Sequence, residues 1–170
     1  MKKILFTDLD GTLLNNEKLV SEGNRAAIER LLHAGHYLVV ATGRPVKSAF
    51  KVVKELGLTM PGCYMIAYNG GVIFDCAKEE ICMEKALPLE YARYLFAEAE
   101  KYGIYIQTYG KDDTILTKWD GPELQYYAKG NRNALEIEIC EDVCDRLGKN
   151  PNKVLMIDMS VEKVTKFQQD

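Results

Sequence analysis

Asp8 and Asp10, in the run Phe6-Thr7-Asp8-Leu9-Asp10-Gly11-Thr12-Leu13-Leu14, are the residues whose types and spacing most directly suggest chemistry. Lys3 to Phe6 is apolar enough to form a buried strand, and it delivers two carboxylates where the strand ends. Side chains two apart on a strand point the same way, so Asp8 and Asp10 are expected to converge while Leu9 faces the other side. Adjacent carboxylates repel unless a cation or a shared proton offsets the repulsion. Gly11 permits a sharp turn, and Thr12 adds a hydroxyl. The set suits a divalent cation and a phosphate.

Two other readings fit the same spacing. An acidic pair can simply cap a strand before a loop, where Asp and Gly are ordinary residues. Asp-x-Asp also occurs in nucleotide-sugar glycosyltransferases, where the pair holds a metal and is not a nucleophile. A second cluster, Val40-Ala41-Thr42-Gly43-Arg44-Pro45, closes another apolar run with a hydroxyl, a glycine and a guanidinium. Backbone amides at a helix start, with a Thr hydroxyl, form a ready phosphate site. In an open parallel sheet neighbouring strand ends share one crevice, which places Thr42 beside Asp8. Taken alone, Thr42 would only cap the helix that Pro45 opens.

The elements that position these clusters are legible in the hydrophobic pattern. Ser21 is a plausible N-cap for a helix to about Ala34, with Ala27, Ile28, Leu31 and Leu32 as its stripe and Gly35 at its end. Tyr37 to Ala41 is a continuous apolar run, as in a parallel strand covered on both faces. A helix with stripe Val46, Ala49, Phe50, Val53 and Leu56 follows Pro45, and Tyr64 to Ala67 supplies a third strand. This rhythm argues for a doubly wound parallel sheet.

The pattern changes after Asn69-Gly70-Gly71. Val72 to Phe74 and Ile81 to Met83 predict an antiparallel hairpin. A helix is expected through Tyr102 with Tyr91, Tyr94, Leu95 and Ala99 inward. Strands are expected at Ile104 to Thr108, Thr114 to Lys118 and Lys153 to Asp158. Helices are expected around Leu124 to Ala128 and Asp142 to Leu147, and from Ser160 to Asp170 with stripe Val161, Val164 and Phe167. The domain boundary is placed near residue 84, dividing the chain into 1–84 and 85–170.

Composition narrows the partners. The 170 residues are 47% hydrophobic and 28% charged, the balance of a soluble globular protein. A net charge of −3 and a pI near 5.5 make no electrostatic case for nucleic acid or an anionic membrane. Apolar runs fall well short of the roughly 20 residues of a membrane span, and the N-terminus reaches Asp8 too soon for a signal-peptide core. A cytoplasmic protein is expected. Five scattered cysteines without a matching His or second Cys pair read as reduced thiols, and His33 and His36 as residues flanking the Gly35 helix end.

Taken together, the motifs resemble the haloacid dehalogenase superfamily, specifically its Cof-like phosphatases with a type IIB cap. Asp8-Leu9-Asp10-Gly11-Thr12-Leu13 matches the first motif, Ala41-Thr42-Gly43-Arg44-Pro45 the second, and Tyr68-Asn69-Gly70-Gly71 the turn after the third strand, in family order. The resemblance implies a Rossmann-like core, here its N-terminal part, followed by an α/β cap. It implies that Asp8 is the nucleophile, forming an aspartyl-phosphate, and that Asp10 is acid and base in turn. Mg²⁺ would be held by the Asp8 carboxylate and the Asp10 carbonyl. Leu9, Gly11 and Thr42, with Gly43 in the same motif, would contact phosphate, and Arg44 and Asn69 would shape the substrate side. The implied substrate is a small phosphorylated metabolite such as a sugar phosphate.

In this family a phosphate-neutralising Lys and a Gly-Asp-type acidic motif follow the cap. Neither is matched here, so the chain is expected to stop inside the cap. Asp158 is taken as a cap residue, and Lys153, Lys163 and Lys166 as solvated cap lysines. The first strand would then present a bare apolar edge open to self-association or to a complementing chain. A catalytically incomplete fragment that only binds phosphate or metal, or serves as an interaction module, is the alternative to a phosphatase.

Overall fold

The computed structural model describes residues 1–130, 135–158 and 160–169. The chain forms two compact units, Met1–Lys85 and Ala86–Asp170. In the first, β1 (Ile4–Asp8), β2 (Tyr37–Ala41) and β3 (Cys63–Ala67) are parallel and joined by α1 (Glu22–His33) and α2 (Val46–Glu55). β4 (Val72–Asp75) and β5 (Glu80–Glu84) extend the sheet as an antiparallel hairpin, in the order β1-β2-β3-β4-β5. Parallel strands in consecutive order with helical crossovers make one half of a Rossmann-like sheet. The local signals explain the boundaries. The Ser21 side chain accepts from the Asn24 amide at the start of α1, and Gly35 (φ 72°) lies just past its end. Pro45 stands immediately before α2.

Leu38 and Val40 of β2, Met65 of β3 and Ala49 and Val53 of α2 are fully enclosed and form the centre of this core. Two expectations are corrected here. β1 is not buried: Ile4, Leu5 and Phe6 are 56%, 44% and 60% exposed. Among the described residues β1 pairs only with β2, so its other edge meets no strand. In α1, Ile28 is buried but Ala27 is exposed, although both border the open groove lined by Leu5, Phe6 and Leu13.

The second unit is a four-stranded sheet in the order β8-β7-β6-β9. β6 (Tyr105–Tyr109) lies between β7 (Ile115–Thr117) and β9 (Val154–Ile157), antiparallel to both, and β8 (Ile137–Ile139) runs parallel to β7. The helices are α3 (Leu89–Tyr102), α4 (Pro122–Gly130), α5 (Val143–Leu147) and α6 (Val161–Gln169). Ala99, Ile104 and Ile106 form a core against Leu95, Phe96, Tyr102, Val154, Met156 and Phe167. The next face of β6 is polar but paired: Tyr105 OH donates to Gln107 Oε1 at 2.8 Å, and Gln107 Nε2 donates to Tyr109 OH at 3.1 Å. Burial pushes the Tyr105 phenol up to about 12.

Helix phase in this unit departs from expectation. Tyr91 and Tyr94 face outward, and the inward residues of α3 are Ala92, Leu95, Phe96 and Ala99, where two alanines are fully enclosed. Tyrosine is amphipathic, so its count on a helix does not set which face is buried. Val161 is exposed in the first turn of α6, leaving Val164 and Phe167 as the packed stripe. β8 was not expected, since three residues carry too little alternation to register. The Asp158 carboxylate accepts from the Ser160 amide at 2.6 Å at the start of α6 and lies 3.6 Å from Lys163 Nζ. Lys153 is half-buried, not solvated, and burial lowers its ammonium pKa. Asp170 lies outside the described residues. No helix among the described residues is long and apolar enough to cross a membrane.

Candidate active site

The loop after β1 is pinned from below. Leu13 N donates to Asp8 O at 3.1 Å, and Leu14 N donates to Leu9 O at 3.0 Å. Leu9, Leu13 and Leu14 are buried, whereas Asp8 and Asp10 stay at the surface. The loop thus stores its apolar side chains in the core and presents its carboxylates outward. Gly11 has φ +81°, a conformation that residues with a Cβ rarely adopt, so the turn requires it.

The register of the sheet brings the second cluster alongside. Asp8 is opposite Ala41 in the β1–β2 ladder, and Thr42 is the next residue. Thr42 Oγ1 accepts from the Arg44 amide at 3.2 Å, and Thr42 N donates to Ile66 O at 2.8 Å. Asn69 N donates to Thr42 O at 3.2 Å and Tyr68 N to Arg44 O at 3.0 Å, tying the loop after β3 to the loop after β2. Tyr68 and Asn69 both have positive φ, 53° and 58°. Gly43 sits close against Asn69: a Cβ there would lie 2.9 Å from Asn69 Oδ1, so that side chain would have to shift.

Arg44 then reaches back to the first loop. Its Nε donates to Asp10 Oδ2 at 2.8 Å and its Nη2 to Asp10 Oδ1 at 2.7 Å, a bidentate pair. Lys18 Nζ donates to the same Oδ1 at 3.0 Å. Hydrogen bonding from Arg44, and secondarily from Lys18, holds the Asp10 carboxyl below the usual carboxylate range despite opposing desolvation. Lys18 lies in the polar stretch Asn15 to Val20 between β1 and α1 and belongs to no motif of the sequence. The signal that could have found it is Asn15, whose side chain accepts from Glu17 N and Leu19 N at 3.0 and 2.9 Å and so folds the loop into a turn.

Asp10, Arg44, Thr42, Gly43 and Asn69 are therefore joined by direct contacts, with Asp8, Leu9 and Gly11 adjoining through the chain. The Asp8 carboxylate is exposed and accepts no hydrogen bond or ion pair among the described residues. A hard cation fits this donor set: one unengaged carboxylate and a backbone carbonyl are the kind of sparse oxygen ligation that Mg²⁺ completes with phosphate and water. The described residues gather no cluster of three or more acidic, His or Cys ligands.

The sequence model of the haloacid dehalogenase-like hydrolases matches residues 5–170. The 5-amino-6-(5-phospho-D-ribitylamino)uracil phosphatase YitU of Bacillus subtilis is 31% identical over 155 residues, 90% of this chain and 55% of that protein. A haloacid dehalogenase-like hydrolase from Bacteroides thetaiotaomicron superimposes with a TM-score of 0.82 at 30% identity, covering 99% of this chain and 62% of its own. A subclass IIB sugar phosphatase of the superfamily shares the fold, with a TM-score of 0.73 at 21% identity, covering 99% of this chain and 63% of its own. The chain thus spans a little over half the length of these relatives.

Proposed function

The chain belongs to the haloacid dehalogenase-like hydrolases, and from that premise we propose that its first unit carries the nucleophile and the acid–base residue of a Mg²⁺-dependent phosphomonoester hydrolase. The observation that supports this most is the asymmetry of the two carboxylates. Asp8 is exposed and unengaged, as a nucleophile must be, whereas Asp10 is gripped by Arg44 and Lys18. An Asp8 oxygen attacks phosphorus as the bond to the leaving oxygen breaks. Asp10, held below the usual carboxylate range by Arg44 and Lys18 in the free protein, has to loosen those bonds and take up a proton as substrate enters, and it then gives that proton to the leaving oxygen. Water then attacks the aspartyl-phosphate, Asp10 takes up its proton, and inorganic phosphate leaves as Asp8 is regenerated.

The Thr42 hydroxyl, whose oxygen accepts from the Arg44 amide, gives its proton to a phosphate oxygen beside the Gly43 backbone, and Arg44 and Asn69 border the substrate side. Asp8 and the Asp10 carbonyl would hold Mg²⁺, which lowers the repulsion between phosphate and the nucleophile when bound. The substrate is a small phosphorylated metabolite, a sugar phosphate or related phosphomonoester; the name of the YitU relative, phosphatase of a phosphorylated ribitylamino compound, supports that class. The test is incubation with acetyl phosphate and Mg²⁺, following phosphate release and the intact mass of the protein. Release and a mass shift of one phosphoryl group are expected, both lost with EDTA and in Asp8→Asn. Undiminished release by Asp8→Asn overturns the nucleophile assignment.

A further inference from the structure

Arg44 alone satisfies both oxygens of Asp10, yet a second cation, Lys18, lies on Oδ1 at 3.0 Å. One carboxylate thus carries two cations; the Asp8 carboxylate two residues away balances the second in net charge but makes no ion pair with Lys18. Arg44 is the fixed member: its side chain is 16% exposed, and its backbone is hydrogen-bonded to Thr42 Oγ1 and Tyr68 N. Lys18 is the accessible one, at 40%.

Its placement is built by the loop. Asn15 N donates to Leu19 O and Lys18 N to Asn15 O, both at 2.9 Å, besides the two bonds accepted by the Asn15 side chain. These four bonds hold Lys18 at φ 62°, a conformation uncommon for a residue with a Cβ. Backbone held against its preference is worth a functional hypothesis when the surroundings over-determine it.

We propose that Lys18 reads the leaving group of the substrate, favouring phosphomonoesters whose alcohol carries a second anion, a carboxylate or another phosphate, close to the ester oxygen. The inference rests on the proposed acid role of Asp10. An acid must lie within hydrogen-bond reach of the oxygen it protonates, so the leaving oxygen lies against the Asp10 carboxylate. Lys18 Nζ is bonded to Oδ1 of that carboxylate, so the leaving oxygen lies within about 6 Å of it when bonded to Oδ1 and about 8 Å when bonded to Oδ2, a gap that the first few further bonds of the alcohol span. An anionic alcohol can pair directly with the accessible Lys18 ammonium, and a neutral one cannot.

The experiment compares equilibrium binding of 3-phosphoglycerate and glycerol 3-phosphate, two probes of similar length that differ in one carboxylate, by calorimetry in EDTA, where the proposed Mg²⁺-dependent hydrolysis does not consume them. Wild type is expected to bind 3-phosphoglycerate about tenfold more tightly, the lower end for a hydrogen bond to a charged group. Lys18→Met brings the ratio toward one, Lys18→Arg restores it, and Lys51→Met, which removes an exposed charge on α2, leaves it as in wild type. Equal binding by wild type, or a preference kept in Lys18→Met, overturns the role of Lys18 while leaving the phosphate site standing. Failure of both probes to bind at millimolar concentration overturns the phosphate-site reading and this inference with it.

Discussion

Arg44 holds Asp10 across two loops, through Nε–Oδ2 at 2.8 Å and Nη2–Oδ1 at 2.7 Å, although the two residues are 34 positions apart. The contact exists because β1 and β2 are parallel neighbours whose ends open on the same side of the sheet. A bidentate guanidinium fixes both the position and the plane of a carboxylate, which a lysine does not. The geometry therefore separates two acidic residues only two positions apart: one oriented by cations, one left open.

Asp10→Asn is expected to slow both half-reactions by ~10²–10⁴-fold, the usual contribution of a general acid–base group. Acid-quenched single-turnover reactions would follow formation and decay of the phosphoenzyme separately. A wild-type rate would reduce Asp10 to a structural anchor for Arg44 and Lys18.

Gly43→Ala is expected to displace Asn69, since the new methyl would lie 2.9 Å from its Oδ1. Overpacking of this kind costs about 1–3 kcal/mol, and urea unfolding monitored by circular dichroism measures it. A double variant with Asn69→Ala should recover part of the loss; if Gly43→Ala is as stable as wild type, the close approach does not constrain the loop.

The bare edge of β1 predicts self-association. Ile4, Leu5 and Phe6 are exposed beside unpaired strand backbone, the setting in which edge strands recruit another chain. Light scattering should show concentration-dependent association, reduced in Phe6→Lys, because a charge on an edge opposes pairing. A monodisperse monomer at all concentrations would remove β1 as an association surface.

The cysteines should differ sharply in reactivity. Burial pushes the Cys76 thiol up to about 12 and also raises Cys63, whereas Cys82 is exposed. Alkylation of the folded protein at pH 8.5 should label Cys82 and spare Cys63 and Cys76, read by peptide mass spectrometry. A raised folded pKa means that the unfolded thiol ionises first, so this contribution to stability is intact below about 9 and is lost as pH rises toward about 12. Rapid labelling of Cys76 without denaturant would contradict its burial.

Much of this protein was determined by local chemistry that the chain displays without folding. Ser21, Gly35 and Pro45 mark helix ends by capping and backbone preference; the run at Tyr37 to Ala41 is apolar because both of its faces are covered, and the run at Cys63 to Ala67 has one face buried and the other half-buried. The Asp8–Asp10 spacing and the Thr42-Gly43-Arg44 turn are likewise local, and they sufficed to suggest phosphate chemistry. Tertiary structure decided what depends on which surfaces meet. Lys3 to Phe6 read as a strand buried on its faces with one bare edge; among the described residues that edge meets no strand, but Ile4, Leu5 and Phe6 are exposed rather than buried. Tyr91 and Tyr94 read as inward, but α3 turned its alanines to the core because small side chains allow a helix to approach closely. Lys18 had only an indirect signal, the turn-forming Asn15: a single lysine in a polar loop acquires a role when that turn carries its ammonium to 3.0 Å from Asp10. Such long-range placement is set by the packing of separate strands and loops, and no local propensity encodes it.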